Sequence, residues 1–306
     1  MTNFKYGDGE KMKTGSGENT NAEIEYNYEF QLENEISVGG QIRSSIREKS
    51  RLSDSKVKLV RVELVERDYR ILEFILEMKF AGCGQVFEKF FKKVKGGVEA
   101  AASQEWARKR LRQLHHAGFL RSCVSITGGA NVFTASYKAY FALAQVYAHR
   151  SFPKPTGGLD TRTFLHDREM LLLRLKFERD GGEVNWISDR SLRQGFGERF
   201  GLYGIHVPDG LMLESPGNWA GIELEIASKS RERYEDKVAR YVKLIRANRE
   251  KPDGIRKVIY FCMRPQVFDA LTKECRPYGD MFEVKSAKPT HFALGTETRN
   301  SFGGVA

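Results

Sequence analysis

Gly204 to Lys229 reads G-I-H-V-P-D-G-L-M-L-E-S-P-G-N-W-A-G-I-E-L-E-I-A-S-K, and its alternation decides how the second half of the chain is built. From Trp219 to Ala227 the apolar residues Ile222, Leu224 and Ile226 alternate with Glu223 and Glu225. A period of two puts both glutamates on one face of a β-strand and the aliphatic residues on the other, an acidic face and a core face. Ser215-Pro216-Gly217-Asn218 is a run of turn formers, so Pro208 to Glu214 is expected to pair antiparallel with this strand. The hairpin then sets Asp209 opposite Glu223 or within a residue of it. Three carboxylates that close repel unless a cation sits between them or one takes a proton. A hard divalent ion such as Mg²⁺ takes one or two carboxylates and keeps its other positions for water and phosphate oxygens, where it activates water and steadies a leaving oxygen. The same letters also suit an ordinary turn tripeptide followed by a strand with one wet face, so the residues alone leave both readings open.

A chain of 306 residues with 41% hydrophobic content is long enough for two domains with real cores. The net charge of +10 and the pI near 9.3 favour polyanionic partners. Charge is uneven: −2 over 1–56, +8 over 57–150 and +4 over 151–306. The cysteines, at 83, 123, 262 and 275, form no Cys-x-x-Cys pair and have no His at a zinc-ligand spacing. They read as reduced thiols of a cytoplasmic protein. The N-terminal M-T-N-F-K-Y-G-D-G-E lacks an apolar signal core and no apolar run is long enough to span a bilayer, so no membrane association is expected.

Residues 1–56 are rich in Gly, Asn, Ser, Glu and Lys and are expected to form a disordered tail, although E-I-E-Y-N-Y-E-F-Q-L at 23–32 alternates and also suits an edge strand or a docking segment. From Val62 the pattern turns helical, with Val65, Tyr69, Leu72 and Leu76 on one stripe. Ala81-Gly82-Cys83-Gly84 breaks that helix. Val86, Phe87, Phe90, Phe91 and Val94 predict a second one ending at Gly96-Gly97. A third helix, roughly Ala101 to His116, carries Ala107, Leu111, Leu114 and Gly118 inward and Glu105, Arg108, Lys109 and Arg112 outward. Cys123–Thr127 and Val132–Thr134 are expected to be short strands around the turn Gly128–Asn131. Arg110 and the pair His115-His116 receive no role.

Three helices and a small hairpin, with the phrase R-L-R-Q-L-H-H-A-G-F-L closing the basic third helix, resemble a winged helix-turn-helix domain over 57–150. The resemblance implies that the third helix enters the major groove of double-stranded DNA, with Arg108, Lys109, Arg112 and Gln113 at phosphates and base edges. A solvated charged helix face in a protein–protein module is the other reading.

Arg150 to Asp160, with two prolines and two glycines, reads as a linker over 151–160. Beyond it, a helix over Thr161–Asp180 has His166, Met170, Leu173 and Phe177 on one stripe. His166 is expected to be a packed, satisfied histidine; the alternative has Glu169 or Asp167 turned toward the carboxylate hairpin. Glu183–Asp189 predicts a strand. After the hairpin comes a helix with Tyr234, Val238, Tyr241 and Ile245 on one face and Arg231, Arg233, Lys237, Arg240 and Lys243 on the other, enough to follow a phosphate backbone. Lys257–Met263 predicts a buried strand, followed by a short helix and a last strand at Met281–Val284. Residues 295–306 are expected to be a second disordered tail.

The order αβββαβ over 161–294, with P-D-G and then E-L-E on the next strand, resembles the PD-(D/E)xK nuclease superfamily. The fold class expected is therefore α+β or α/β in two domains, an N-terminal winged helix and a C-terminal restriction-endonuclease-like domain. The resemblance implies Asp209 and Glu223 as metal ligands for Mg²⁺ or Mn²⁺. It departs from this chain where the family's lysine is Glu225, which puts catalysis in doubt; Lys229, close by, offers a migrated charge, so Glu225 or Lys229 would position the attacking water. A winged helix joined to such a domain, with I-E-L-E-I-A-S-K-S-R-E-R-Y-E-D-K-V-A-R-Y, resembles the replication-relaxation family of plasmids and mobile elements. That likeness implies a DNA-binding protein, either a metal-dependent endonuclease or a catalytically inactive one acting in replication, mobilisation or regulation, as a homodimer or with a partner protein.

Overall fold

The computed structural model describes residues 62–92, 94–95, 98–99, 103–126, 131–181, 185–202 and 206–287, all of them within the unit Val57–Ala306. The expected tails at 1–56 and 295–306, and the turn residues Gly128–Ala130, lie outside the described residues. The fold is mixed α and β. Among the described residues no helix is long and apolar enough to cross a membrane.

The first half is built on α1 (Glu66–Met78), α2 (Cys83–Phe90), α3 (Gln104–His116) and α4 (Tyr137–Val146). Ile71, Leu72, Ile75 and Leu76 of α1, Val86 of α2, Ala107, Leu111 and Leu114 of α3, and Ala139 and Leu143 of α4 are all buried, so the 3.6-residue periodicity of each helix reports its inner face. Short strands join them. β1 (Ala81–Gly82), β4 (Leu120–Cys123) and β5 (Val132–Ala135) make a three-stranded sheet in the order β1-β5-β4. The hairpin thus begins at Leu120, earlier than the turn signals suggest. The stretch expected to end the second helix instead pairs with its neighbour, as β2 (Val94–Lys95) and β3 (Val98–Glu99).

In the second half α5 (Phe164–Gly181) precedes a five-stranded sheet of order β10-β9-β8-β7-β6. Its strands are β6 (Trp186–Ser188), β7 (Gly210–Ser215), β8 (Asn218–Glu225), β9 (Gly254–Cys262) and β10 (Phe282–Ser286). Between β6 and β7 lie two single helical turns that no sequence pattern announces, α6 (Asp189–Ser191) and α7 (Gly197–Arg199), joined by a π-helical turn at Leu192–Phe196. β6, β7 and β8 run antiparallel, while β8, β9 and β10 are parallel. Each parallel step needs a crossover, supplied by α8 (Arg231–Asn248) and α9 (Pro265–Cys275).

Alternation on the central strands sorts their side chains to two layers. Ala220, Ile222 and Leu224 of β8 and Ile259 and Phe261 of β9 pack with Met170, Leu171 and Leu175 of α5. Trp219 of β8 and Val258 and Tyr260 of β9 pack with Val238 and Tyr241 of α8 and Val267 and Leu271 of α9. Glu223 and Glu225 share the parity of Trp219, so they point into the α8 layer and are buried. The acidic face expected to meet water is covered by a helix.

Residues 151–160 adopt neither helix nor strand, yet they do not separate two cores. Phe152 is buried in one apolar cluster with α1, α3, α5 and the α5 face of the large sheet. Across the same junction Arg174 of α5 pairs with Glu77 of α1 at 2.5 Å, and the rings of Phe80 and Phe164 stack at 4.8 Å.

Arg110, unassigned from sequence, closes the helical half. It donates to both oxygens of the buried Asp68 in the first turn of α1, and to the Glu63 carbonyl at 2.8 Å. Arg110→Ala is expected to lower the unfolding free energy by about 3–5 kcal/mol, because it strands a buried carboxylate. Denaturant titration checks this, and an unchanged midpoint would mean that Asp68 is satisfied without Arg110.

Candidate functional site

The hairpin forms in the expected register. Gly210 lies opposite Ile222, which carries Asp209 to the position across from Glu223. Gly217, at a φ of 80°, makes the turn after Pro216 in a conformation that favours glycine. At Gly210 the constraint is different: a Cβ there would collide with the Trp186 ring. The Pro-Asp-Gly tripeptide therefore has a packing reason for its glycine, and the strand starts directly after the aspartate.

Asp209 accepts two hydrogen bonds on Oδ2, from the Leu224 amide at 2.9 Å and from His166 Nε2 at 3.1 Å. Its side chain is 24% exposed, toward a cavity of about 190 Å³ lined by Lys79, His166, Asp167, Ser188, Asp189 and Asp209 among others. Burial and the neighbouring charge of Glu223 lift the Asp209 carboxyl above the ordinary aspartate range. Glu223 and Glu225 are each only 1% exposed. The three carboxylates named from sequence are thus brought together, two of them out of water.

What balances them is Lys237. Its amine donates to Glu223 Oε2 at 2.7 Å and to Glu225 Oε1 at 2.6 Å, and the residue is 8% exposed. Burial lowers the lysine's pKa, but the two carboxylates outweigh it and hold the amine above its ordinary value. Tyr241 donates its hydroxyl to Glu223 Oε1, and His206 Nε2 lies 3.0 Å from the same oxygen. Burial pushes the Glu223 carboxyl up; Lys237 and His206 pull it further down, so it ends well below its ordinary 4.5. Lys229, the charge named from sequence, reaches Glu225 Oε2 at 2.7 Å from a more exposed position.

The structure corrects the placement of Lys237 on the outer, phosphate-following face of its helix. Three and four residues from Tyr234 and Tyr241, it lies on their buried stripe, and this spacing is the signal in the sequence. Arg231 and Arg240 do face solvent, where they pair with Glu235 at 2.6 Å and Asp236 at 2.9 Å. His166 is a second correction. Rather than being satisfied within the core, it bridges Asp209 and the neighbouring Asp167, whose Oδ1 lies 3.8 Å from Nδ1. Burial opposes the charged ring, but the flanking carboxylates raise its pKa to about 10. Asp167 turns to Lys79 at 2.5 Å rather than to the hairpin, and Glu169 lies 3.8 Å from Arg168.

The second set named from sequence stands on α3. Arg108, Lys109 and Arg112 are exposed, with Glu105 3.4 Å from Arg108 and 2.8 Å from Arg112. Gln113 is half-buried and accepts from Arg110 at 3.0 Å, which draws its carbonyl oxygen away from the outer face.

The chemistry of the donor set bears on a metal. Among the described residues no three or more His, Cys, Asp or Glu are gathered around one point that an ion could fill. Mg²⁺ is commonly held by one or two carboxylates, water and substrate phosphate; here both oxygens of Glu223 face Lys237, Tyr241 or His206, and Asp209 Oδ2 faces His166 and the Leu224 amide. The Lys237 amine supplies the positive charge beside Glu223 and Glu225. Burial pushes the Cys262 and Cys275 thiols up to about 12, away from the thiolate a soft metal takes. Comparison with protein-family models and with curated proteins returns no match.

Glu223 contributes stability above its ordinary pKa and loses it as pH falls, because its folded-state pKa is depressed. Lys237→Ala removes the depressing charge, and burial then raises the same group. The variant is expected to be about 3–5 kcal/mol less stable at neutral pH, with a deficit that narrows as pH falls toward the carboxylate range. Urea unfolding across that range, in chelator, checks this; a deficit independent of pH would assign the loss to the packing of the lysine stem.

Proposed function

We propose that this chain is a DNA-binding protein whose second half hydrolyses phosphodiester bonds with a divalent metal, on a restriction-endonuclease-like fold preceded by a winged helix. One observation carries the reading: Glu223 and Glu225 share the amine of a lysine from the next helix, and Asp209, at the start of the strand paired with theirs, feels the charge of Glu223. Support for the fold assignment comes from the order α5, β6, β7, β8, α8, β9, with antiparallel strands before the helix and a parallel one after it. For the first half it comes from three helices, a short β-pair and the basic outer face of α3. Membership of the replication-relaxation family, and with it a plasmid or mobile-element setting, rests on the sequence likeness alone.

On this reading Asp209 and Glu223 would hold the ion, Mg²⁺ or Mn²⁺, which when bound would supply Lewis acidity and lower the pKa of water. Lys237 takes the part that the family gives to the lysine two residues after Glu223. Its amine, fixed by two carboxylates, offers positive charge to a phosphate oxygen as negative charge develops. Glu225 holds that amine in place and, with Lys229, lies where a water would be oriented. His166 fixes the carboxylate plane of Asp209 by donating to Oδ2.

A binding protein without chemistry is the second reading, favoured by a specific feature. Both oxygens of Glu223 already carry protein donors, so the carboxylates are satisfied by the chain itself.

Incubation with supercoiled and linear plasmid in Mg²⁺, Mn²⁺ or chelator separates the two. Metal-dependent nicking or linearisation, abolished in Asp209→Ala and Glu223→Ala, is expected. Asp209→Ala should keep or slightly raise DNA affinity, since it removes a negative charge. A clear mobility shift with intact DNA in every metal would instead establish the non-catalytic reading. Neutralising Arg108, Lys109 and Arg112 together is expected to flatten the plot of log affinity against log salt by about 1 for each phosphate that no longer meets a cation. An unchanged slope would move the DNA to another basic surface.

A further inference from the structure

The chain has three tryptophans. Two are buried at 7% exposure, Trp186 and Trp219, and the third, Trp106 in the first turn of α3, is 69% exposed. Trp106, Lys109 and Gln113 are three and four residues apart and so form one stripe, turned away from the buried Ala107, Leu111 and Leu114. An indole left in water on a basic helix has no role in the core below it.

Two further apolar side chains of this half are exposed, Val124 and Ile126. Cys123 of β4 lies opposite Val132 of β5, which lies opposite Gly82 of β1. The next residue, Cys83, has its Sγ 3.9 Å from the carbonyl of Gln104, the first residue of α3. Cys123 and Gly82 thus share one end of the small sheet, and Val124, just past Cys123, is 77% exposed. On the same helix as Trp106 stand the exposed Lys109 and Arg112, the latter 2.8 Å from Glu105, in a segment whose net charge over 57–150 is +8. That charge favours a polyanion over a second copy of the same basic surface.

In a continuous duplex the faces of the bases are hidden within the stack, and only their edges reach the grooves. An exposed indole on a cationic surface matches instead the platform on which an unpaired base stacks, whatever its identity. We propose that this end of α3 binds DNA at a junction between duplex and single strand, with an unpaired base stacked on Trp106 and the flanking phosphates on Lys109 and Arg112. The inference rests on the DNA-binding reading above and narrows its substrate to DNA carrying an unpaired base. It does not require cleavage.

The test uses the full chain in chelator, with three probes: a blunt duplex, the same duplex with a single-stranded oligothymidine tail, and the tail alone. Because the other two tryptophans are buried, solvent-quenchable emission reports Trp106. The tailed duplex is expected to quench it and the blunt duplex to leave it unchanged. Trp106→Ala should weaken binding of the tailed duplex by about 5- to 150-fold, the equivalent of one base–aromatic stack, and that of the blunt duplex by less than about 2-fold, with Trp106→Phe intermediate. Equal losses on both duplexes, or full affinity without quenching, would overturn the proposal while leaving DNA binding intact. So would a dimer, measured by sedimentation, that Trp106→Ala converts to monomer with DNA affinity unchanged. Failure of the parent chain to bind any probe would remove the DNA-binding reading itself.

Discussion

Two glutamates buried on one face of a central strand cannot keep their charge without a cation held at hydrogen-bond distance, and this requirement governs the second half of the molecule. Taking a carboxylate out of water costs several kcal/mol even after relaxation. Glu223 stays ionised in surroundings that would otherwise protonate it, because it shares the Lys237 amine with Glu225. That amine comes from α8, so the helix has one permitted placement along the sheet. The same placement brings the Tyr241 hydroxyl to Glu223 and the Tyr234 hydroxyl to the Lys229 amide, at 3.0 Å in the second case. Packing of Val238 and Tyr241 on Val258 and Tyr260 supplies the apolar area, but apolar contact alone has no preferred register; the ion cluster provides it.

Asp209 depends on a different set of partners. His166 holds it from α5, Asp167 flanks His166, and Lys79 holds Asp167. Lys79 closes α1 with a φ of 71°, the positive value that a residue with a side chain seldom adopts. The site is thus tied by consecutive side-chain contacts to the first helix of the N-terminal half, alongside the Arg174–Glu77 pair and a continuous apolar cluster. A linker rich in proline and glycine suggests independent bodies. Burial of Phe152 and the contacts on either side of it give instead a junction in which the candidate site takes part.

Period-two alternation in β8 and the turn formers at 215–218 are enough to read the hairpin, its register and the meeting of Asp209 with Glu223. The inner stripes of α3 and α8 are equally legible, whereas in α1 Val65 is 50% exposed and in α5 Leu173 and Phe177 are only half-buried. What is not legible follows from the chemistry of polar residues. Lysine and histidine usually prefer solvent or a quiet core position, and that preference hides Lys237, His206 and His166 as partners of the carboxylates. Burial of Glu223 is invisible for the same reason: alternation assigns a face, but only the crossover helix decides whether that face is wet. The helical turns of Asp189–Arg199 and the β2–β3 pair carry too few residues for a period to emerge.

The distinction between the origin of a charge and its location decides how Glu225 should be understood. A lysine two residues after Glu223 would project from the strand itself, its amine constrained by the backbone. Here a carboxylate occupies that position, and it draws in an amine from a helix twelve residues further on, at 2.6 Å. The local charge that results is similar, one ammonium beside Glu223, but its freedom differs. The strand's own lysine has only Glu223 to answer to, whereas Lys237 is held between two carboxylates and gives up part of that pairing to meet a phosphate. Glu225 therefore both secures the cation and competes with the substrate for it. On the proposed reading, catalysis would require Lys237 to give up its bond to Glu223, leaving the amine to Glu225 and the phosphate together. On the alternative, the pairing is strong enough to persist, and the same residues serve only to hold the sheet and its helix in register.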